Sequence, residues 1–215
     1  MNTQLRLTFL VATPLALAAL LMLHPPGGDP VYQGVSPDAD AWLAVHVGVL
    51  PFLLLMPLAL LTLLRNVHSR AATVSRLALL PFMVFYTFWE SIVGVATGVL
   101  ARHANGLPAA DRGPIADAIQ DLNRNWLIGD GSVSLLIGST GWMVAAIAAA
   151  LALRSAGASR PVVLLIGFSS LFAVHPPPVG PLALASFAAG AVLVERLYAR
   201  RVGAPAGTTP AELPA

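Results

Sequence analysis

The sequence predicts an all-α polytopic membrane bundle of six transmembrane helices, with a short amphipathic helix at the outer interface. Three observations predict it. Of the 215 residues, 57% are hydrophobic and only 10% charged, against about 25% charged in a soluble domain. The apolar residues gather into runs parted by short polar connections rich in Pro and Gly. The arginines sort to one side of those runs. The composition also excludes some chemistry. With no Cys there is no disulfide, thiolate metal site or cysteine nucleophile. The net charge of +2 is the balance of 12 arginines against 10 acids spread along the chain, and does not point to nucleic acid. The partner this composition requires is the lipid bilayer. An Arg- and Ala-rich chain without Lys points to a bacterium, and so to its cytoplasmic (inner) membrane.

The first span is Leu7 to Leu23, with Arg6 before it and His24-Pro25-Pro26-Gly27-Gly28 after it. A signal peptide has the same charge and apolar core, but no small-residue cleavage site closes this run, which favours an uncleaved span. Asp29 to Asp40 reads as a polar loop. The second span is Ala41 to Leu64, bent at Pro51 and Pro57. Arg65 to Arg76 is a short basic loop. The third span, Leu77 to Ala101, carries Glu90. Gly113-Pro114 opens the amphipathic helix with Pro at the first helical position. Ile115, Ile119, Leu122 and Trp126 then form one apolar stripe suited to a membrane surface. The fourth span runs from Ser132 to Leu153, with Asp130 as its N-cap. The fifth, Val162 to His175, is short of the ~20 residues a full crossing needs, and Pro176-Pro177-Pro178 stops it. The sixth runs from Leu182 to Tyr198. Residues 202–215 read as a disordered cytoplasmic tail.

Six spans place both termini in the cytoplasm. The inner segments then hold Arg6, Arg65, Arg70, Arg76, Arg154, Arg160, Arg196, Arg200 and Arg201, and the outer ones only Arg102, Arg112 and Arg124. Trp42 and Trp126 fall at the outer interface.

This topology gathers four of the five histidines on the outer side: His24, His46, His103 and His175, with His68 inside. His46 lies six residues below Asp40, ~9 Å at the helical rise. The short fifth and sixth spans recess His175 to a similar depth. Glu90 shares a helix face with Gly94 and Gly98. It lies ~18 Å below Arg102 by the same rise, roughly 9 Å deeper than His46 on this reckoning. Thr97, on nearly the same face, is placed to bridge the two. An ionisable residue inside a span is a functional-site hypothesis. The plainer reading makes Glu90 a neutral acid bonded to a carbonyl freed by Pro51 or Pro57, and leaves each histidine at an interface.

The expected function is to bind or pass a small ion, metal or lipid-like ligand in a recessed, outward-facing polar pocket, with ligand-binding residues His46, His175, Glu90 and Thr97. The candidate metal ligands are His24, His46, His103 and His175, and zinc or haem b is the cofactor these would hold. A membrane oxidoreductase or hydrolase is the alternative. An assembly subunit without ligand is the third reading, its helix-mediated oligomer formed through Gly94 and Gly98, since small residues let helices approach closely. No phosphate loop, nucleophile elbow or paired-histidine helix motif occurs.

Overall fold

Among the described residues five helices are long and apolar enough to cross a membrane, and a sixth apolar helix, Arg160–Ala173, is shorter. The computed structural model describes residues 2–174 and 176–203. The expected tail lies almost wholly outside the described residues, as does His175. Helix α1 is Thr3–Leu21, capped by the Asn2 side chain, which accepts from the Leu5 amide. Helix α2, Val31–Val35, leads through a tight turn at Ser36–Asp38 into α3, Ala39–Leu63. The segment read as a loop over Asp29 to Asp40 is therefore largely helical. Its residues pack against the rest of that end, with Val35 and Ala39 buried beside Trp42, Ala101 and Ile119.

Helix α4 spans Arg70–Asn105, longer at both ends than its apolar run. It contains two π-helical turns, Phe82–Tyr86 after Pro81 and Glu90–Ala96. Such bulges recur at functional sites. Helix α5 is Gly113–Arg124, starting where Gly113-Pro114 predicts. Its stripe is turned partly to protein, with Ile119 fully buried. Helix α6 is Val133–Ser155. Its cap is the Ser132 hydroxyl, which accepts from the Leu135 amide. Asp130 instead accepts from Gly131 next to it, so the expected Asp cap is corrected to Ser. Helix α7, Arg160–Phe168, continues as a 3-10 turn over Ser169–Ala173, and α8 is Val179–Gly203.

The interior is a continuous apolar cluster. Leu53, Met56, Leu60 and Leu63 of α3, Phe82 and Tyr86 of α4, Trp142 of α6 and Phe187 of α8 are all essentially sealed. Gly138 and Gly141 let α6 lie directly on α4, where an added Cβ would meet backbone at Tyr86 and Phe82. The outward faces carry Leu and Val instead of charge: Leu77 is 61% exposed, Val84 61% and Leu136 66%. Faces of that kind are satisfied by lipid.

One buried carboxylate ties both ends of the chain together. Glu195 of α8 accepts from Arg6 Nη2 at 2.6 Å and Nε at 3.0 Å, and from Arg65 Nη1 at 2.8 Å. Arg65 also lies over the Tyr198 ring, 5.0 Å from its centroid. The start of α1, the end of α3 and the end of α8 thus share one end of the bundle, the arginine end. The other end holds the 25–40 and 103–132 connections.

Candidate functional site

At the opposite end a cavity of about 510 Å³ opens between α5 and the 27–35 segment. Asp29, Gln120, Asn123, Arg124 and Asp130 give it polar walls, and Trp42 and Val93 line it as well. Helix α5 is tied to the segment facing it. Gln120 Oε1 accepts from the Val31 amide at 2.9 Å, and its Nε2 donates to Asp29 at 3.3 Å. Asn123, on the same face one turn away, is buried and donates to Thr97 Oγ1 at 3.0 Å.

Trp42 separates this cavity from a cluster of polar side chains. It is 7% exposed, so its ring faces the protein interior. Its indole N–H donates to the Gly94 carbonyl at 2.9 Å, inside the second π turn of α4. Its ring stacks on His46 at 4.4 Å between centroids and meets the His24 ring edge-on at 5.1 Å. Trp126, by contrast, is 73% exposed.

Beneath Trp42 the structure brings His24, His46 and Glu90 together. His46 Nδ1 lies 2.7 Å from the Trp42 carbonyl, and His24 Nδ1 2.7 Å from the Pro25 carbonyl. A carbonyl only accepts, so each ring carries its proton on Nδ1. In the neutral rings both Nε2 atoms therefore present lone pairs. Those two atoms face each other at 3.3 Å. Glu90 Oε1 lies 3.8 Å from His46 Nε2. Among the described residues Glu90 Oε2 is buried and has no hydrogen-bond partner. The Thr87 hydroxyl, three residues earlier on α4, is likewise buried without one. His24 is half-buried, and desolvation holds its imidazole below the ordinary 6.5, with the bond to Pro25 opposing.

The expected separation of His46 and Glu90 is thereby corrected. Two features close it. Gly94 has no side chain, and an added Cβ there would fall inside the His46 ring, so α3 and α4 approach closely. The connection before α6 also sinks into the bundle, where its Gly129 carbonyl accepts from the Trp89 indole at 3.0 Å. The Gly129 contact brings the polar connection down to Trp89, the residue before Glu90, so Glu90 lies nearer that connection than a count of residues from Arg102 indicates.

The remaining candidates fall elsewhere. Thr97 Oγ1 accepts from Asn123. His103 is exposed near the end of α4, away from the buried cluster. Among the described residues no three His, Asp or Glu side chains already stand close enough to hold a metal ion. A macrocycle has no room between two nitrogens 3.3 Å apart, so His24 and His46 do not sandwich a haem, and a haem held between His46 and His175 falls on a residue outside the described ones. Gly94 and Gly98 face His46, Trp42 and Leu43 of the same chain. That face is filled by α3 of the same chain.

Sequence reasoning missed Trp42 as the floor of the cavity, Asn123 as a buried polar wall and Glu195 as a buried partner for two arginines. The Trp42/His46 spacing of four, which stacks side chains on one helix face, was the available signal for the first. No protein-family description, curated protein or solved structure matches this chain.

Proposed function

We propose that this is a multi-pass membrane protein that binds a small cation in a buried site formed by His24, His46 and Glu90, reached from the polar cavity past Trp42. One observation carries the reading. Two imidazole lone pairs point at each other across 3.3 Å, with a buried carboxylate oxygen 3.8 Å from one of them. Lone pairs so placed repel unless a positive charge lies between them, and a buried carboxylate wants the same charge. The cavity wall carries Asp29 and Asp130 against the single Arg124, which pairs with Asp29 at 3.6 Å, and this balance of one net negative charge favours cations at its mouth.

Binding is better supported than passage. On the far side of Glu90 the interior is filled by Leu53, Met56, Phe82 and Tyr86, all at most 1% exposed. The reading takes the chain as six crossings, Arg160–Ala173 included, with the arginine end and both termini in the bacterial cytoplasm and the cavity outward. The clustering of Arg6, Arg65 and Arg76 near that end supports this orientation.

The test is equilibrium dialysis of the purified protein in detergent against a panel of monovalent and divalent cations near neutral pH. The reading expects saturable uptake of at least one cation, lost in Glu90→Gln and His46→Ala and kept in His68→Ala. Uptake that ignores Glu90→Gln, or no saturable uptake of any cation, overturns it.

A further inference from the structure

The geometry points to a divalent transition-metal ion of the zinc class as the bound cation, ligated by His24 Nε2, His46 Nε2 and Glu90 Oε1; this inference rests on the cation reading above.

The argument starts from the edge of a tetrahedron. Zinc–nitrogen bonds of 2.0–2.1 Å at tetrahedral angles set two ligand nitrogens about 3.3–3.4 Å apart. The two Nε2 atoms stand at 3.3 Å. The ligand types agree with the spacing. Imidazole nitrogen suits zinc, nickel, copper and iron, whereas magnesium and calcium take oxygen. A third ligand is at hand in Glu90. Its Oε1 is 3.8 Å from His46 Nε2, about 0.5 Å wider than a tetrahedral edge. Rotation of the carboxylate closes that gap, and Oε2 has no hydrogen bond to hold the group back. This width is in keeping with the finding that no three such side chains already form a closed set.

The outer contacts fit as well. Metal-bound histidines donate their second N–H to a carbonyl or carboxylate, which fixes ring and tautomer. His24 does so to Pro25 and His46 to Trp42, each at 2.7 Å. Trp42 stacking holds the His46 plane, and Gly94 leaves the space that ring occupies. The pattern of two imidazoles and one carboxylate leaves a fourth tetrahedral position for water or another ligand.

The test titrates Co²⁺ and Zn²⁺ into purified, chelator-stripped protein in detergent. Expected are one equivalent of metal per chain, an intense visible Co²⁺ spectrum of tetrahedral type, and displacement of Co²⁺ by Zn²⁺. His24→Ala, His46→Ala and Glu90→Gln each weaken binding at least tenfold, and His103→Ala leaves it unchanged. Thermal melts of the metal-free forms show whether a variant folds, and His46→Gln serves as the second variant if His46→Ala does not. A weak octahedral-type Co²⁺ spectrum, or zinc affinity indifferent to these three substitutions, overturns the inference. Uptake of only an alkali or alkaline-earth ion, still dependent on Glu90, also overturns it but leaves the cation reading standing. No saturable cation at all sinks both.

Discussion

The His46 ring lies against the Cα of Gly94 so closely that no Cβ fits between them. That contact sets the α3–α4 spacing at the level where both helices carry a buried ionisable group, His46 and Glu90. Gly94→Ala must therefore push the ring aside or part the helices. Overpacking of this kind costs about 1–3 kcal/mol. Thermal melts in detergent are expected to fall accordingly, with cation uptake weakened as His46 leaves its place. Gly98→Ala meets Trp42 Cδ1 at 3.0 Å, a milder conflict, and is expected to cost less. Equal tolerance of both substitutions would contradict the packing described.

Trp42 has two separable roles. Its N–H satisfies the Gly94 carbonyl, and its ring supports His46. Trp42→Phe keeps a stacked ring and removes one donor from the Gly94 carbonyl, which still accepts from the Thr97 amide, so the loss is that of one buried hydrogen bond, about 0.5–1.5 kcal/mol. Cation affinity is expected to change only a few-fold. Trp42→Ala removes the ring too, and is expected to lose both stability and affinity. Matched melts and dialysis on the two variants check the separation.

Glu195 offers a stability test remote from the site. Removing it leaves Arg6 and Arg65 without their shared partner, and both are mostly buried, at 17% and 25% side-chain exposure. Stranding buried charge costs about 3–5 kcal/mol, and the part-exposure of these arginines puts the expectation toward the lower figure. Asp40→Asn breaks the pair with Arg102, whose side chains are 84% and 66% exposed. Exposed pairs contribute little, so its melt is expected to stay close to the parent's. A Glu195→Ala protein as stable as the parent would show that the triad does not fasten the chain ends.

Acid should weaken the structure through His24. Burial lowers its folded-state pKa below the ordinary 6.5. Between the lowered value and 6.5 the unfolded chain binds the extra proton and the folded one does not. Stability therefore rises with pH across that window and is lost as pH falls through it. Protonation also removes the Nε2 lone pair, so cation uptake is expected to fall in the same direction. His24→Gln should flatten that limb of the melting-temperature profile. An unchanged acid limb in His24→Gln assigns the effect elsewhere.

Much of this arrangement was legible in the sequence. The apolar runs located the long helices, and the arginines grouped the ends that Glu195 joins. The same topology put His24 and His46 on one side, and the spacing of four put Glu90 on the face of Gly94 and Gly98. What stayed hidden was depth. Hydropathy marks where a helix leaves lipid, not where connections fold back, so it missed that Gly129 descends to Trp89. Glu195 was hidden for a related reason. An acid near a span end reads as a flank, although it stands among arginines on the side otherwise poor in acids. Trp42 was read by its distance from the membrane edge, and its neighbours across the 27–35 segment could not be read at all.

The most direct test of the cation site is ¹⁵N NMR of histidine-labelled protein, assigned through His24→Gln and His46→Gln, with and without the bound cation. The account predicts that both rings carry their proton on Nδ1 and that both Nε2 resonances shift together, saturably, when the cation is added. Finding one ring protonated on Nε2 and donating to the other, with neither resonance responding to any cation, would contradict it.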